Sequence, residues 1–388
     1  MNRFDFLAVG IALFLLLSMV SISISQVFLG LSFLILIVLL VRMKIRLQFP
    51  SFFWGAIAYC VLSLISSLLS VNPEVSLYDS RKLLLFLIIP IAYMGLRKPA
   101  DIRRANTALL VSGCISIVFS LGYSLIKAAP GERIQGFMGH YMTEAGVMLI
   151  FSALALSMFV FSRNKLRWLW GLAFCLSLVV LLLTSTRSAW VGVVIAAAVV
   201  LFFFKPKTLV IMPVAVALVL VLSPKEVKQR AASIFSLKSY SNAQRIEYMR
   251  TGIRIIREYP FFGTGPDTVD MVFQHPKYHL SEEAKRNVHL HNNIIQIAAE
   301  RGIPTLIVWL AFMAWAFSSL IRLLPNRDPL LFPLTVAAVA AFLAHFAAGL
   351  FEYNFADSEV AALFFFIITV PFAQAKILAN REPPAGEP

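Results

Sequence analysis

Long apolar stretches alternate with short polar ones along most of the chain. The pattern predicts twelve membrane-spanning helices, at about 6–23, 27–42, 51–70, 83–96, 105–127, 142–162, 168–184, 188–204, 208–223, 303–321, 330–350 and 358–375. One long polar stretch, residues 224–302, interrupts the series between the ninth and tenth spans. We therefore expect an all-α polytopic membrane protein with one large helical segment outside the bilayer.

The composition supports this fold class. Hydrophobic residues make up 59% of the 388, charged residues only 14%, and the mean hydropathy is +0.81. A soluble domain does not need so much apolar surface, so the bilayer is the expected solvent for most of the chain. The net charge of +14 comes from basic residues in alternating loops, which favours membrane lipids over nucleic acid as partners. No disulfide framework or cysteine metal site is expected, because all three cysteines lie in apolar runs: Cys60, Cys114 and Cys175.

The positions of Lys and Arg predict the orientation. Both are concentrated at the N-terminus and in the loops after even-numbered spans, which places both termini in the cytoplasm. Segment 224–302, Arg187 and the 351–359 loop then face outward. The predicted division is a membrane domain at 1–223, an outer segment with a candidate catalytic histidine at 224–302, a second membrane domain at 303–377 and a disordered cytoplasmic tail at 378–388.

The outer segment contains one clear amphipathic pattern. Ser241 is a candidate N-cap for a helix that ends at Pro260, before a Gly263–Pro266 turn. Its predicted apolar face consists of Ile246, Met249, Ile253 and Ile256, and its basic face of Arg245, Arg250, Arg254 and Arg257. So basic a helix is typical of a membrane surface or of contact with an anionic ligand.

Two arginines are candidates for holding an anion. Arg187 lies in a short polar break between two apolar runs, where a guanidinium costs a few kcal/mol unless it is paired or hydrated. It either binds an anion in an outward cavity or extends to the outer headgroups. Arg245 either joins it at the same anion or belongs to a solvated helix face. The solvated face is the favoured interpretation for Arg250, Arg254 and Arg257 taken singly.

Two histidines come immediately before the tenth span. The apolar pattern after His291 predicts a helix that begins at the membrane surface, with an imidazole in its opening turn to take or give a proton. The alternative for His289 and His291 is an ordinary surface histidine. On a helix their side chains diverge and no third ligand is apparent, so no metal site is predicted. His345 is either a buried hydrogen-bonding residue or part of a cavity wall. Four residues of the last outer loop are candidate partners for the arginines: Glu352, Asn354, Asp357 and Glu359.

Three segments resemble a known family. Residues 287–292, followed by nine residues and Gly302, resemble the His-Asn-x9-Gly motif of the bacterial O-antigen ligase family. That family also includes O-antigen polymerases and protein O-oligosaccharyltransferases. Residues 184–189 resemble its Thr/Ser-rich arginine turn, and residues 244–249 with 258–265 resemble its arginine helix ending in Pro-x-x-Gly-x-Gly. The close likeness covers about 184–306.

The resemblance implies a GT-C-like glycosyltransferase that needs no metal or other cofactor, with a periplasmic active site in the bacterial inner membrane. Arg187 and Arg245 would hold the diphosphate of an undecaprenyl-diphosphate-linked O-antigen. His291 would be the base that deprotonates a hydroxyl of the lipid A–core oligosaccharide, with inversion at the anomeric carbon. The further expected substrate contacts are His289, Asn292, Arg250 and Tyr248.

Other functions remain open at this point. A polymerase or a protein O-oligosaccharyltransferase would use the same chemistry with another acceptor. The local match around His291 and the single outer segment favour a ligase. A polysaccharide transporter or flippase would usually have two related halves with interrupted helices, whereas the polar residues here are concentrated on one face.

Overall fold

The computed structural model describes residues 3–126, 132–234, 236 and 239–381, and within these ranges no residue forms a strand. The sixteen α-helices are α1 Arg3–Leu17, α2 Ile22–Met43, α3 Phe53–Leu68, α4 Pro73–Asp79, α5 Ile88–Gly95, α6 Pro99–Ile126, α7 Tyr141–Phe161, α8 Arg167–Leu183, α9 Arg187–Phe204, α10 Ile211–Leu222, α11 Lys225–Ala232, α12 Tyr240–Glu258, α13 Val269–Phe273, α14 Asn293–Ile321, α15 Leu331–Gly349 and α16 Ser358–Ala379. Short 3-10 helices occupy Ser80–Leu87, Gly136–Met138, Pro206–Val210, Pro276–Tyr278 and Ala284–Arg286.

The helices confirm an all-α, multi-pass membrane protein. Of the described helices, seven are long and apolar enough to span a bilayer: α2, α6, α7, α9, α14, α15 and α16. Shorter apolar helices lie at Phe4–Leu17, Phe53–Leu68, Arg167–Leu183 and Pro206–Leu222. The predicted fourth span, 83–96, is a 3-10 helix followed by the eight-residue α5. Twelve crossings and the GT-C-like assignment therefore remain predictions.

Helices α7, α15 and α16 form the centre of the bundle, and α9 packs against α7 and α15. Small residues allow the close approach: a Cβ on Gly192 of α9 would lie 3.1 Å from the carbonyl oxygen of Ala344 in α15. His345 of α15 is buried and stacks on Phe364 at 4.5 Å. Neither of its ring nitrogens has a hydrogen-bond partner among the described residues, which does not support the alternative of a buried hydrogen-bonding residue.

Helices α2 and α10 present apolar side chains outward. Val41 and Leu222 are 71% and 76% exposed, and α10 has no buried residue. A water-soluble protein rarely exposes such continuous apolar surface, whereas lipid tails can cover it. These faces are consistent with the bilayer that the composition predicts.

The outer segment has an apolar core of its own, separate from that of the bundle. It consists of Tyr248, Ile255, Val269, Phe273, Tyr278, Leu280, Ala284, Leu290 and Ala299. The predicted apolar face of α12 is wrong in part: Ile256 packs against this core, whereas Met249 and Ile253 are 43% and 41% exposed. The buried face instead includes Gly252, where an added Cβ would lie 2.3 Å from Ile295. Only a glycine there lets α12 approach α14 so closely.

Two boundaries differ from the sequence predictions. Helix α14 begins at Asn293, about ten residues before the predicted tenth span, and is interrupted at Gly302 (φ 81°). The break separates an outer helical stretch from the predicted span. Helix α16 continues to Ala379, so the tail does not begin at 378. Residues 382–388 of the predicted tail lie outside the described residues.

Candidate active site

The site is built around the start of α14. Asn292 is its N-cap: the side-chain oxygen accepts the backbone N–H of Ile295 at 3.0 Å, and the side-chain nitrogen donates to the carbonyl of Leu350 at 2.8 Å. His291 precedes the cap in the left-handed region (φ 52°), so it is not in the opening turn as predicted. The oxygen of Asn292 thus caps α14 and its nitrogen joins α14 to the end of α15, so neither group is free for substrate.

Glu352 orients the imidazole of His291. The Nδ1 atom of His291 lies 3.0 and 3.2 Å from the two carboxylate oxygens. An ionised carboxylate only accepts hydrogen bonds, so the proton of the neutral imidazole sits on Nδ1 and the lone pair on Nε2. Burial raises the pKa of the Glu352 carboxyl, but the hydrogen bond from His291, the positive charge that His291 and His289 carry when protonated, and the charge of Arg245 lower it to about 2. The pair therefore has the arrangement of a base and its orienting acid.

His289 faces the same carboxylate. Its Nε2 lies 3.8 Å from Oε1 of Glu352, and its ring centroid is 4.3 Å from that of His291. Burial lowers the pKa of His289 to about 4, so the ring is neutral near pH 7. The prediction that the two imidazoles diverge, with no third ligand nearby, is wrong, because residues 289–291 are not helical and Glu352 supplies the third group.

Gln296 fixes the backbone between the two histidines. Its side-chain oxygen accepts the N–H of Leu290 at 2.6 Å, and its nitrogen donates to Glu300 at 2.8 Å. Glu300 also accepts from Arg301 at 2.6 Å and from the Tyr353 hydroxyl at 3.2 Å. A buried hydrogen-bonded network of this kind specifies one arrangement of the loop. The histidine loop is thereby connected to Tyr353, the neighbour of Glu352.

The glycines of the two motifs pack against each other by backbone. Where Gly302 breaks α14, the carbonyls of Ala299 and Glu300 accept the N–H groups of Thr264 and Gly265 at 2.9 and 2.8 Å. A Cβ on Gly302 would lie 2.0 Å from the carbonyl oxygen of Phe261. The turn after α12 and the break in α14 therefore form one structural unit. The two parts fit together only because Gly302 has no side chain.

Arg187 is buried, with 5% of its surface exposed, and connects α9 to the outer segment. Its Nη1 donates to the carbonyl and hydroxyl of Ser233 at 2.7 and 3.0 Å. Its Nη2 donates to the side chains of Ser241 and Asn242, both at 2.7 Å. The guanidinium thus does not extend to the headgroups. Ser241 is not the N-cap of α12, a position that Ser239 occupies.

Three more guanidiniums lie in this region. Arg133 and Arg230 both donate to the carbonyl of Ser185, at 2.8 and 3.3 Å. Arg245 lies one helical turn after Ser241, on the face that meets Arg187. Burial lowers the pKa of Arg245, and the charge of Arg133 lowers it further against the opposing effect of Glu352. Burial and the charges of Arg133 and Arg245 likewise lower the pKa of Arg230.

This arginine cluster (Arg133, Arg187, Arg230 and Arg245) brings four guanidiniums close enough for their charges to act on one another. Glu352 is the carboxylate that acts on Arg245, and it already holds His291. Like charges held together are unfavourable unless an anion joins them. A diphosphate, with its many acceptor oxygens, is suited to such a cluster.

Two predicted substrate contacts do not belong to the arginine cluster. Tyr248 is 1% exposed, and its hydroxyl donates to the carbonyl of Ala284 at 3.0 Å and accepts from Asn287. Its ring packs 5.4 Å from His291, so it supports the imidazole from behind. Arg250 is exposed and five residues from Arg245, hence on a different face of α12.

Within the acidic loop 352–359, Glu352 alone acts on both His291 and the arginine cluster. Asn354 bonds with Asn293 at 2.8 Å, and Asp357 accepts from Thr143 at 2.7 Å. Both fix the loop to neighbouring helices rather than to the arginines. Burial and the neighbouring Glu359 raise the pKa of Asp357 well above its usual range. Only Glu352 meets the expected role of an acidic partner.

Sequence reasoning did not single out Arg133, Arg230 or His140. Burial lowers the pKa of His140, the charge of Glu352 raises it, and the charges of Arg133 and His291 lower it further. His140 therefore lies close to the same site. Arg133 was visible only as a basic residue in a short outer loop, where few others occur. No sequence pattern indicated Arg230, because its position along the chain does not show that it contacts Ser185.

Comparison with known protein families gives a match. The family model described as O-antigen ligase matches residues 172–310. The matched region contains Arg187, Arg230, Arg245, His289 and His291, whereas Arg133 and Glu352 lie outside it. No curated protein matches the chain.

Proposed function

Through residues 172–310 the chain belongs to the O-antigen ligase family, and we propose that it is a ligase. It transfers O-antigen polysaccharide from undecaprenyl diphosphate to the lipid A–core oligosaccharide. The observation that carries the proposal is the Glu352–His291 pair beside the arginine cluster, since it combines a base with an anion site.

The proposed base is Nε2 of His291. It accepts the proton of an acceptor sugar hydroxyl while Glu352 holds the proton on Nδ1. The imidazolium that forms is stabilised by the carboxylate, whose pKa of about 2 keeps it ionised. The buried ring of Tyr248 on the other side limits rotation of the imidazole.

The bond changes balance without another reactant. The acceptor oxygen forms a bond to the anomeric carbon, and the bond from that carbon to the diphosphate oxygen breaks. The electron pair leaves with undecaprenyl diphosphate, and the acceptor proton remains on His291 until it passes to solvent. Attack opposite the leaving group inverts the anomeric configuration.

The arginine cluster binds the leaving group in this proposal. Arg245 is the leading contact, because no hydrogen bond to its guanidinium is found among the described residues. Arg187 has four hydrogen bonds to the outer segment, so it positions α12 and adds charge. Fixed guanidiniums stabilise the charge that develops on the diphosphate, so the reaction is proposed to need no metal. His289 lines the same site.

The expected setting is the bacterial inner membrane, with both termini cytoplasmic and the site periplasmic. The distribution of basic residues among the loops favours this orientation. With the site on this side, both lipid-linked substrates can reach it from the outer leaflet. GT-C-like architecture is part of the same proposal. Membrane lipids are the remaining partners.

Purified protein can be given the lipid-linked glycan with each acceptor in turn. Transfer to lipid A–core identifies a ligase. Extension of a second lipid-linked glycan identifies a polymerase, and transfer to a protein identifies an O-oligosaccharyltransferase. A flippase would move the donor across vesicles without forming any new glycosidic bond.

A further inference from the structure

Three metal-binding side chains converge at the histidine loop. One donor atom from each of His289, His291 and Glu352 lies within 4.8 Å of the others. Oε1 of Glu352 is 3.0 Å from Nδ1 of His291 and 3.8 Å from Nε2 of His289. The Nδ1 atom of His289 is buried without a hydrogen-bond partner among the described residues. The ring is therefore not held in place through its second nitrogen.

The donor set and spacing suit one class of cation. Ligands bound to tetrahedral Zn²⁺ at about 2.0–2.2 Å lie roughly 3.3–3.5 Å apart. The two separations from Glu352 bracket that value. The two imidazole nitrogens lie within 4.8 Å of each other, so side-chain movements that draw the rings together bring all three atoms to one ion. Two imidazoles and a carboxylate favour Zn²⁺ and its borderline neighbours over Mg²⁺, which prefers an all-oxygen shell.

We propose that His289, His291 and Glu352 bind one Zn²⁺-class cation, with water as fourth ligand, and that this cation inhibits glycan transfer. Binding follows from the three donors alone, whereas inhibition also rests on the proposed role of His291 as base. The protein is thus active without the metal and is switched off by it.

The inhibition follows from where the proton sits. Without metal, Nδ1 of His291 carries the proton and Nε2 is free. A cation on Nδ1 displaces that proton, which moves through solvent to Nε2 of the neutral ring. No proton is lost in total, but Nε2 no longer has a lone pair. Glu352 also turns from orienting the imidazole to binding the ion.

Arg245 limits the affinity of the site. Its positive charge acts on Glu352, and a bound cation would be repelled by it. Arg245→Gln is therefore expected to bind Zn²⁺ more tightly than the unmodified protein. A nonspecific surface site would not respond in this direction.

Zn²⁺ binding to the full-length protein in detergent can be measured by competition with a fluorescent zinc chelator. One ion per chain is expected, with Mg²⁺ not competing. His289→Ala and Glu352→Gln should each weaken binding by at least about tenfold. His279→Asn, which removes an exposed histidine of the outer segment, is the matched control and should bind as before. Equal binding by all four proteins, or no binding by the unmodified protein, overturns the site.

Glycan transfer measured at the same Zn²⁺ concentrations tests whether the bound cation inhibits the protein. Inhibition should follow occupancy and be reversed by a chelator, and His289→Ala should need at least about tenfold more Zn²⁺. A bound ion with undiminished transfer overturns both the inhibitory role and the assignment of His291 as base. Transfer without any Zn²⁺ binding overturns the metal site and leaves the proposed function standing.

Discussion

Glu352 holds the imidazole of His291 by Nδ1, at 3.0 Å from one carboxylate oxygen and 3.2 Å from the other. The two residues come from different parts of the chain, the loop before α14 and the loop after α15. Asn292 joins the same two parts by donating to the carbonyl of Leu350. The pair is therefore positioned by the ends of two helices rather than by one flexible loop.

Replacing Glu352 by Gln should lower the turnover of glycan transfer. The amide removes the charge that stabilises the imidazolium and no longer fixes the proton on Nδ1, so a loss on the order of tenfold to a hundredfold in kcat is expected. The KM for donor should change less. Glu282→Gln, which makes the same change at an exposed outer residue, is the control and should keep full turnover. Equal turnover in the two variants contradicts the orienting role.

The two central arginines should respond differently to lysine. Arg245→Lys should raise the KM for the lipid-diphosphate donor with little change in thermal stability, because its fork is free for the ligand. Arg187→Lys should lose hydrogen bonds to Ser233, Ser241 and Asn242, and about 1–3 kcal/mol of stability with them. Donor titrations and melting curves in detergent separate the effects. The same loss of stability in both variants would show that Arg245 is also structural.

Gly302→Ala should destabilise the protein. A residue with a side chain at φ 81° costs about 1–3 kcal/mol, and its Cβ would also collide with the carbonyl of Phe261. The melting temperature should fall, and transfer should fall with it. Gly122→Ala is the matched control, since a Cβ there meets nothing within 4 Å. A Gly302→Ala protein as stable as this control would mean that the break in α14 has another conformation.

Asn292 allows a test of capping against substrate contact. In Asn292→Asp the carboxylate can still accept from Ile295, whereas Asn292→Ala loses the cap and about 0.5–2 kcal/mol of stability. Asp keeps the cap but loses the donor to Leu350, so we expect both variants to lower stability and activity together, Ala more than Asp. Activity lost in both variants with stability retained in both would instead support the predicted substrate contact.

The sequence predicted well what depends on local patterns. Apolar run length predicts helices such as α15 and α16 within a few residues, because it reflects the thickness of the bilayer. The motif that runs from Asn292 to Gly302 includes both the cap of α14 and its break, although neither role was predicted. Arg187 stood out because a guanidinium between two apolar runs needs partners.

Contacts between distant parts of the chain were not predictable in the same way. Whether Glu352 meets His291 depends on how α14 and α15 pack, which spacing within one segment does not encode. The divergence of His289 and His291 was inferred from helical geometry, and the left-handed backbone at His291 invalidated it. The buried face of α12 was misjudged because Gly252, which carries no side chain, does not register as apolar.

The most direct test of the whole account is glycan transfer by purified His291→Ala, compared with His289→Ala and with His279→Asn as an exposed-histidine control. Each protein is given undecaprenyl-diphosphate-linked glycan and lipid A–core, and melting curves confirm that all remain folded. We expect no detectable transfer by His291→Ala, a milder loss for His289→Ala and normal transfer by His279→Asn. Full transfer by a folded His291→Ala protein would contradict the account.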